Sequence, residues 1–187
     1  IHLLNRLHAK AKCPNLCMTG GVAMNSVANG KITRHTPFEN VYIPAGAADN
    51  GTSFGAAFYV WNKVLGGKRG FIQDHAYWGC ESSNGECLAA IQEADLPCET
   101  LADEALLDRT VEKMLDGKVV GWFQGKMEFG ARALGNRSLI ADPRRTDMRD
   151  IINLRIKFRE KFRPFAPSIL EEHVGEWFEI DEHTPYM

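Results

Sequence analysis

The chain has 187 residues, of which 44% are hydrophobic and 10% aromatic, and a formal net charge of −2. That is enough apolar material for one large core or two small ones, and it excludes a disordered or low-complexity chain. No run approaches the roughly 18 apolar residues of a membrane span, and the opening IHLLNRLHAKAKCPN lacks a secretory signal, so the expectation is a cytoplasmic protein with no membrane role. The cysteines, Cys13, Cys17, Cys80, Cys87 and Cys98, are odd in number and form no CxxC pair, which reads as free, mostly buried thiols.

Ile1, Leu3, Leu4 and Leu7 stand at helical spacing and read as the last turns of an amphipathic helix. The chain has no initiator methionine and its far end, EWFEIDEHTPYM, closes on an apolar segment, so truncation at both ends is expected. Leu16 to Met18 reads as a short buried strand that runs through Gly20-Gly21 into a helix from Asn25 to Arg34. In such a connection glycine lets backbone N–H groups approach a ligand, and the helix start adds partial positive charge. By itself, Gly-Gly is also an ordinary tight turn. A strand at Val41 to Ile43 follows, then AGAADNGTSFGAAFYVWNKVLGG, whose Asp49-Asn50-Gly51 precedes a helix ending at Gly66-Gly67. Two glycine-bearing loops in a β-α-β-α series point to one nucleotide. Asp49, the second loop's acid, suits either a divalent metal bridging phosphates or the cap of the following helix.

The turn-rich KRGFIQDHAYWG changes character, and a domain boundary is placed near residue 70. Beyond it, SSNGECLAAIQEAD and DEALLDRTVEKMLDGK carry helical periodicity. Val119 to Phe123 and Ser138 to Ala141 read as strands, and Arg145 to Arg155 as a helix with Met148, Ile151, Ile152 and Ile156 inward. Strands alternating with helices make the fold class α/β, with two partial domains, 1–69 and 70–187.

Between Lys126 and Arg163 lie 11 of the 22 lysines and arginines and five acids, a net +6 against −8 for the rest of the chain. A cationic patch in an acidic globular protein suits a phosphate or carboxylate. Arg132 and Arg137 are five apart beside Gly130 and Gly135. Lys157, Arg159 and Arg163 share parity, which in an extended strand fixed by Pro164 and Pro167 places them on one face. A solvated charge face would pair its cations with nearby acids, and in sequence only Glu160 is close.

Four segments in order, GGVAMNSVANGK, PAGAADNGTSFGAA, GWFQGKMEFGARALGNRSLIADPR and NLRIKFREKFRPFAP, resemble the ATP-dependent O-carbamoyltransferases of nodulation-factor and antibiotic biosynthesis. The resemblance covers essentially the whole chain. It implies the end of an actin- and sugar-kinase-like ATPase domain followed by an incomplete YrdC-like domain. The implied reaction converts carbamoyl phosphate and ATP to carbamoyl adenylate and transfers the carbamoyl group to a hydroxyl of a small acceptor. By motif match, Lys157, Arg132 and Arg159 are implied as catalytic, and Arg137, Ser138 and Arg163 as binding carbamoyl phosphate or ATP. Gly20, Gly21, Val22 and Asn25 are implied as the nucleotide loop, and Asp49 as a ligand of a divalent metal, Fe2+ in the family.

Two departures from the family pattern stand out. Ala131 replaces the proline of EFGPRALG, and the upstream HxxxH-like metal motif is missing, since His2 and His8 are six apart while His35, His75, His173 and His183 stand alone. Little metal affinity is therefore expected of this fragment. The expected partners are carbamoyl phosphate, ATP, a small hydroxylated acceptor and a second copy of the chain. Two alternative readings stand beside this one: carbamoyl transfer to tRNA or a protein thiol, and nucleic-acid binding through the basic window 126–163. The overall acidity and the glycine-interrupted cations speak against the latter.

Overall fold

Leu16, Ile32 and Phe38 are buried together in the computed structural model, which describes residues 1–180, 184 and 186, and Leu4, Met18 and Val41 pack against them. The polypeptide divides into two units. The first comprises Ile1–Gly79 and Glu128–Leu134 together with Tyr186; the second comprises Cys80–Met127 and Gly135–Thr184.

In the first unit, helix α1 (His2–Ala11) ends where Lys12 adopts the left-handed conformation, at φ 51°, and its N–H returns to His8 O. Strands β1 (Asn15–Cys17) and β2 (Asn40–Tyr42) pair in parallel, Leu16 opposite Val41. A parallel pair needs a crossover, and that crossover is broken where a single helix was expected. Gly21–Met24 forms a 3-10 turn, Ser26–Asn29 a one-turn helix α2 and Ile32–His35 another, α3. The Asn25 side chain explains the break at the front, because its Oδ1 accepts from Ala28 N–H at 3.1 Å and so starts α2 afresh. Helix α4 (Gly51–Tyr59) follows the second glycine-bearing loop and widens into a π turn, Val60–Val64.

The boundary expected near residue 70 falls inside this unit. Phe71 packs on Phe58 at 5.5 Å between ring centroids and on Trp78 at 5.2 Å, which ties the segment after Gly70 to α4. Tyr77 donates through its hydroxyl to Leu134 O at 2.8 Å, and Phe129 meets Phe54 at 4.4 Å, so Glu128–Leu134 is bound to the same unit.

The second unit contains helices α5 (Asn84–Glu93) and α6 (Asp103–Leu115) and an antiparallel pair, β3 (Val120–Phe123) and β4 (Arg137–Ile140). Val120 faces Ile140 and Phe123 faces Arg137. Helix α7 (Met148–Ile151) passes into a π turn, Ile152–Ile156, and α8 (Val174–Trp177) lies near the described end. Of the expected inward face, Met148 and Ile152 are buried and Ile156 is exposed, and the polar Asn153 is buried as well. The architecture is mixed α/β. All five cysteines are free, but none is buried: Cys13 and Cys87 are half-buried and the others exposed, because the elements bearing them are short or solvent-facing.

Candidate functional site

The glycine loops of the first unit touch. Gly20 N–H donates to Ala47 O at 2.6 Å, joining the turn after β1 to the loop before α4. Gly20 holds φ 94°, a conformation that costs glycine little and other residues much. Val22 and Gly21 lie exposed at the tip of this loop, and Asn25 spends its side-chain oxygen on capping α2. Asp49 does not cap α4; the residue at that position is Asn50, which makes no side-chain cap, while the Thr52 and Ser53 hydroxyls donate to Asp49 O and Asn50 O. The Asp49 carboxylate is thus left exposed in the loop.

The motif segment Glu128–Leu134 reaches these loops within the same unit. Arg132 donates from a terminal guanidinium nitrogen to Met24 O at 2.8 Å. The segment owes its seat to Gly130, where a Cβ would stand 2.6 Å from Ala45 O. It owes its shape to Glu128, whose buried carboxylate accepts from Leu134 N–H at 2.7 Å.

Arg137, Ser138, Lys157, Arg159 and Arg163 belong to the second unit. Arg137 lies over the Phe123 ring at 3.4 Å and donates to Gln124 O, Gly125 O and Asn136 O, so its guanidinium is heavily engaged by the β3–β4 connection. Ser138 Oγ accepts from Gly135 N–H at 2.9 Å. Residues 157–163 are not a strand. Phe158 sits in the left-handed region at φ 48° and Lys161-Phe162 form a turn, so the parity argument for a common face does not apply. A different device gathers these cations. Arg159 Nε donates to Asn153 Oδ1 at 2.7 Å while its guanidinium lies 4.9 Å from the Phe165 ring centre, and Arg163 Nε donates to Glu160 at 2.8 Å. Lys161 lies 3.6 Å from Asp150. Lys157 is exposed, and among the described residues its ammonium has no hydrogen-bond or ion-pair partner.

Elsewhere in the window the arginines find acids that the sequence order hides: Arg144 grips Asp142 at 2.7 Å and Arg145 grips Asp147 at 2.9 Å. Asn153 and Glu128 are the site-building residues missed from sequence, since neither stands in a recognisable spacing. An open, mainly apolar groove of about 410 Å³ in the second unit is lined by Cys87, Leu88, Ile91, Cys98, Leu101 and Leu106, and none of the residues selected from sequence lines it.

These residue types alone do not separate carbamoyl transfer from nucleic-acid binding through the basic window, so likeness to known proteins decides the family. Residues 1–58 match the model described as carbamoyltransferase N-terminus, and residues 111–187 match that described as carbamoyltransferase C-terminus. The chain belongs to the carbamoyltransferase family. Among its relatives, nodulation protein NolO of Bradyrhizobium diazoefficiens is 39% identical over 97% of this chain and 34% of its own length. Nodulation protein U of Rhizobium fredii is 31% identical over 92% of this chain and 28% of its own length. A Synechocystis sp. protein, sll1178, is 43% identical over 100% of this chain and 31% of its own length. The chain therefore spans about a third of the length of the curated relatives it matches.

The two family matches leave 59–110 between them, the stretch that carries the aromatic tie and α5. Both glycine loops fall in the N-terminal match, and every selected cation falls in the C-terminal one. The metal implied by family resemblance has too few ligands here: among the described residues no group of three or more His, Cys, Asp or Glu side chains is placed to hold an ion. Asp49 is a single carboxylate, which does not make a metal site. His8 packs edge-on against Phe38 and His75 stacks on Trp78, so both are used in packing; His183 lies outside the described residues.

Proposed function

We propose that this chain is part of an ATP-dependent carbamoyltransferase in which water cleaves carbamoyl phosphate to carbamate and inorganic phosphate, the carbamate is adenylated by ATP with loss of diphosphate, and a hydroxyl of a small acceptor takes the carbamoyl group with release of AMP. The C-terminal segment is the YrdC-like part and binds carbamoyl phosphate. The N-terminal segment is the actin- and sugar-kinase-like part and takes the adenylate. The observation that carries this reading is the loop 157–163, where Lys157, without a partner among the described residues, stands beside two arginines held by neighbouring side chains.

Cleavage of carbamoyl phosphate and displacement at the ATP α-phosphorus both build negative charge. Fixed cations stabilise that charge without having to reorganise, an effect worth roughly 3–4 kcal/mol for a well-placed donor. Lys157 supplies a mobile ammonium and Arg159 a fixed guanidinium, the usual division between point-charge and planar recognition of phosphate. Arg132 spends one guanidinium nitrogen on Met24 O and keeps the rest available. Arg137 is reserved by three carbonyls and Phe123, so its contribution is to hold the β3–β4 connection and Ser138 as much as to bind anion. On the same reading Asp49 would be one ligand of the divalent metal that the family resemblance implies, the other ligands coming from the upstream histidine motif that this chain lacks. The site is in a cytoplasmic enzyme that works with a second copy of itself.

The test is calorimetric titration of this chain with carbamoyl phosphate. Lys157→Ala is expected to raise Kd at least tenfold with an unchanged thermal midpoint, and in a polypeptide of the relatives' full length to cut carbamoyl-adenylate formation at least a hundredfold. An unchanged Kd and near-normal turnover would remove Lys157 from the mechanism.

A further inference from the structure

We propose that Asn153 is the positioning residue of the cationic loop: its side-chain amide fixes where the Arg159 guanidinium and the Lys157–Arg163 backbone stand, and so sets the affinity for a phosphorylated substrate. The functional half of this inference rests on the reading that these cations hold carbamoyl phosphate; the structural half does not.

Asn153 has 0% of its surface exposed, in a segment, Ile152–Ile156, whose other buried side chain is Ile152. A buried amide is retained only where its donors and acceptor are met. Here each is. Nδ2 donates to Arg163 O at 2.9 Å and to Lys161 O at 3.4 Å, while Oδ1 accepts from Arg159 Nε at 2.7 Å. The backbone adds two more ties, Arg159 N–H to Asn153 O and Lys157 N–H to Ile152 O, both 2.9 Å. One side chain therefore binds the loop at three of its residues. Only an amide can do so, because a carboxylate offers no donor and an aliphatic side chain offers nothing.

The loop does not hold this shape by its own preference. Phe158, between the two cations, is exposed and has φ 48°, a region unfavourable to a bulky residue. Conformations of this kind persist where neighbouring contacts impose them, and the contacts on either side of Phe158 are those made to Asn153 and Ile152. Phe165, under Arg159, limits the guanidinium from the other side. Releasing Asn153 would leave Lys157, Arg159 and Arg163 with their charges but without a common geometry.

The experiment compares wild type with Asn153→Leu, Asn153→Asp and Lys157→Ala by two readouts. The first is trypsin cleavage after Lys157, Arg159 and Lys161, referenced to cleavage after Lys10 and Lys12 in the same digest. The second is the Kd for carbamoyl phosphate. Asn153→Leu is expected to speed loop cleavage at least tenfold relative to the reference sites and to raise Kd at least tenfold. Asn153→Asp keeps the acceptor for Arg159 and loses both donors, so cleavage after Lys161 should accelerate more than cleavage after Arg159. Lys157→Ala should raise Kd and leave the remaining loop cleavage unchanged.

A folded Asn153→Leu with wild-type cleavage and wild-type Kd would overturn the proposal. Should that variant fail to fold, Asn153→Asp and hydrogen exchange of wild type decide, an unprotected Arg159 amide also counting against it. If wild type binds no carbamoyl phosphate, the functional reading fails, while the cleavage pattern still decides whether Asn153 fixes the loop.

Discussion

Asp142 is buried yet charged, because Arg144 meets it twice, through its guanidinium and through its backbone N–H at 3.0 Å. The Arg144 side chain is the larger influence, its backbone N–H the next, and together they hold the Asp142 carboxyl down at about 2. A carboxyl whose value falls on folding adds stability that is complete above its unfolded value, near 3.9, and is lost as pH drops from there toward 2. Acid unfolding monitored by tryptophan fluorescence should therefore steepen in that window, and Arg144→Met should move the Asp142 titration, followed by carboxyl NMR, up toward the ordinary range. An Asp142 midpoint that stays put in Arg144→Met would show that the backbone N–H alone suffices. Asp147 and Glu160 are lowered as well, the first mainly by Arg145 and the second mainly by a backbone N–H and then Arg163. The charge excess of 126–163 was legible from residue types. The pairings were not, since a turn at Pro143 or at Lys161 brings together groups whose sequence order looks random. Asn153 was the least legible of all, because nothing local distinguishes a buried Asn in a π turn from one on a solvent face.

Helix α5 begins with a full capping box: Ser83 Oγ accepts from Glu86 N–H at 3.3 Å, and the Glu86 carboxylate accepts from Ser83 N–H at 2.8 Å. Ser83→Ala should cost about 1 kcal/mol, read as an earlier thermal midpoint and a loss of helical circular dichroism. Since α5 buries none of its residues, the loss should be confined to that helix, and Ser83→Asp should restore most of it. Such helices were legible, because SSNGECLAAIQEAD and DEALLDRTVEKMLDGK carry apolar residues at three- and four-residue spacing, whereas the cap at Ser83 came only from the structure. The strands were legible to within a residue, as Leu16 and the Val119–Phe123 run are apolar between turn signals. What failed was continuity. Asn25 to Arg34 has helical spacing throughout, yet an Asn cap after Met24 and Gly30 after α2 divide it. At 157–167 the Pro-rich alternation looked extended, but two of its residues, Pro164 and Pro167, have no N–H for a ladder and the nearby Asn153 offers the backbone better partners.

Apolar faces stay open across the whole molecule. On the α4 stretch, Tyr59, Val64 and Leu65 are 65%, 65% and 66% exposed, and on α6 Leu107, Val111 and Leu115 lie mostly in solvent. Soluble monomers rarely leave several such patches uncovered, and the family relatives carry about three times this length of chain. In isolation the chain should therefore self-associate through these faces. Sedimentation velocity should show a weight-average coefficient that rises with protein concentration, together with enhanced fluorescence of an added hydrophobic dye. The driving force is apolar, so raising salt should strengthen association or leave it unchanged, whereas contact through the +6 window and the −8 remainder would weaken as charges are screened. Val64→Lys with Leu65→Glu should lower the concentration dependence without moving the thermal midpoint, because neither side chain is buried. A concentration-independent coefficient for wild type would mean that these faces do not drive association, and a salt-induced loss of association would assign it to the charged surfaces.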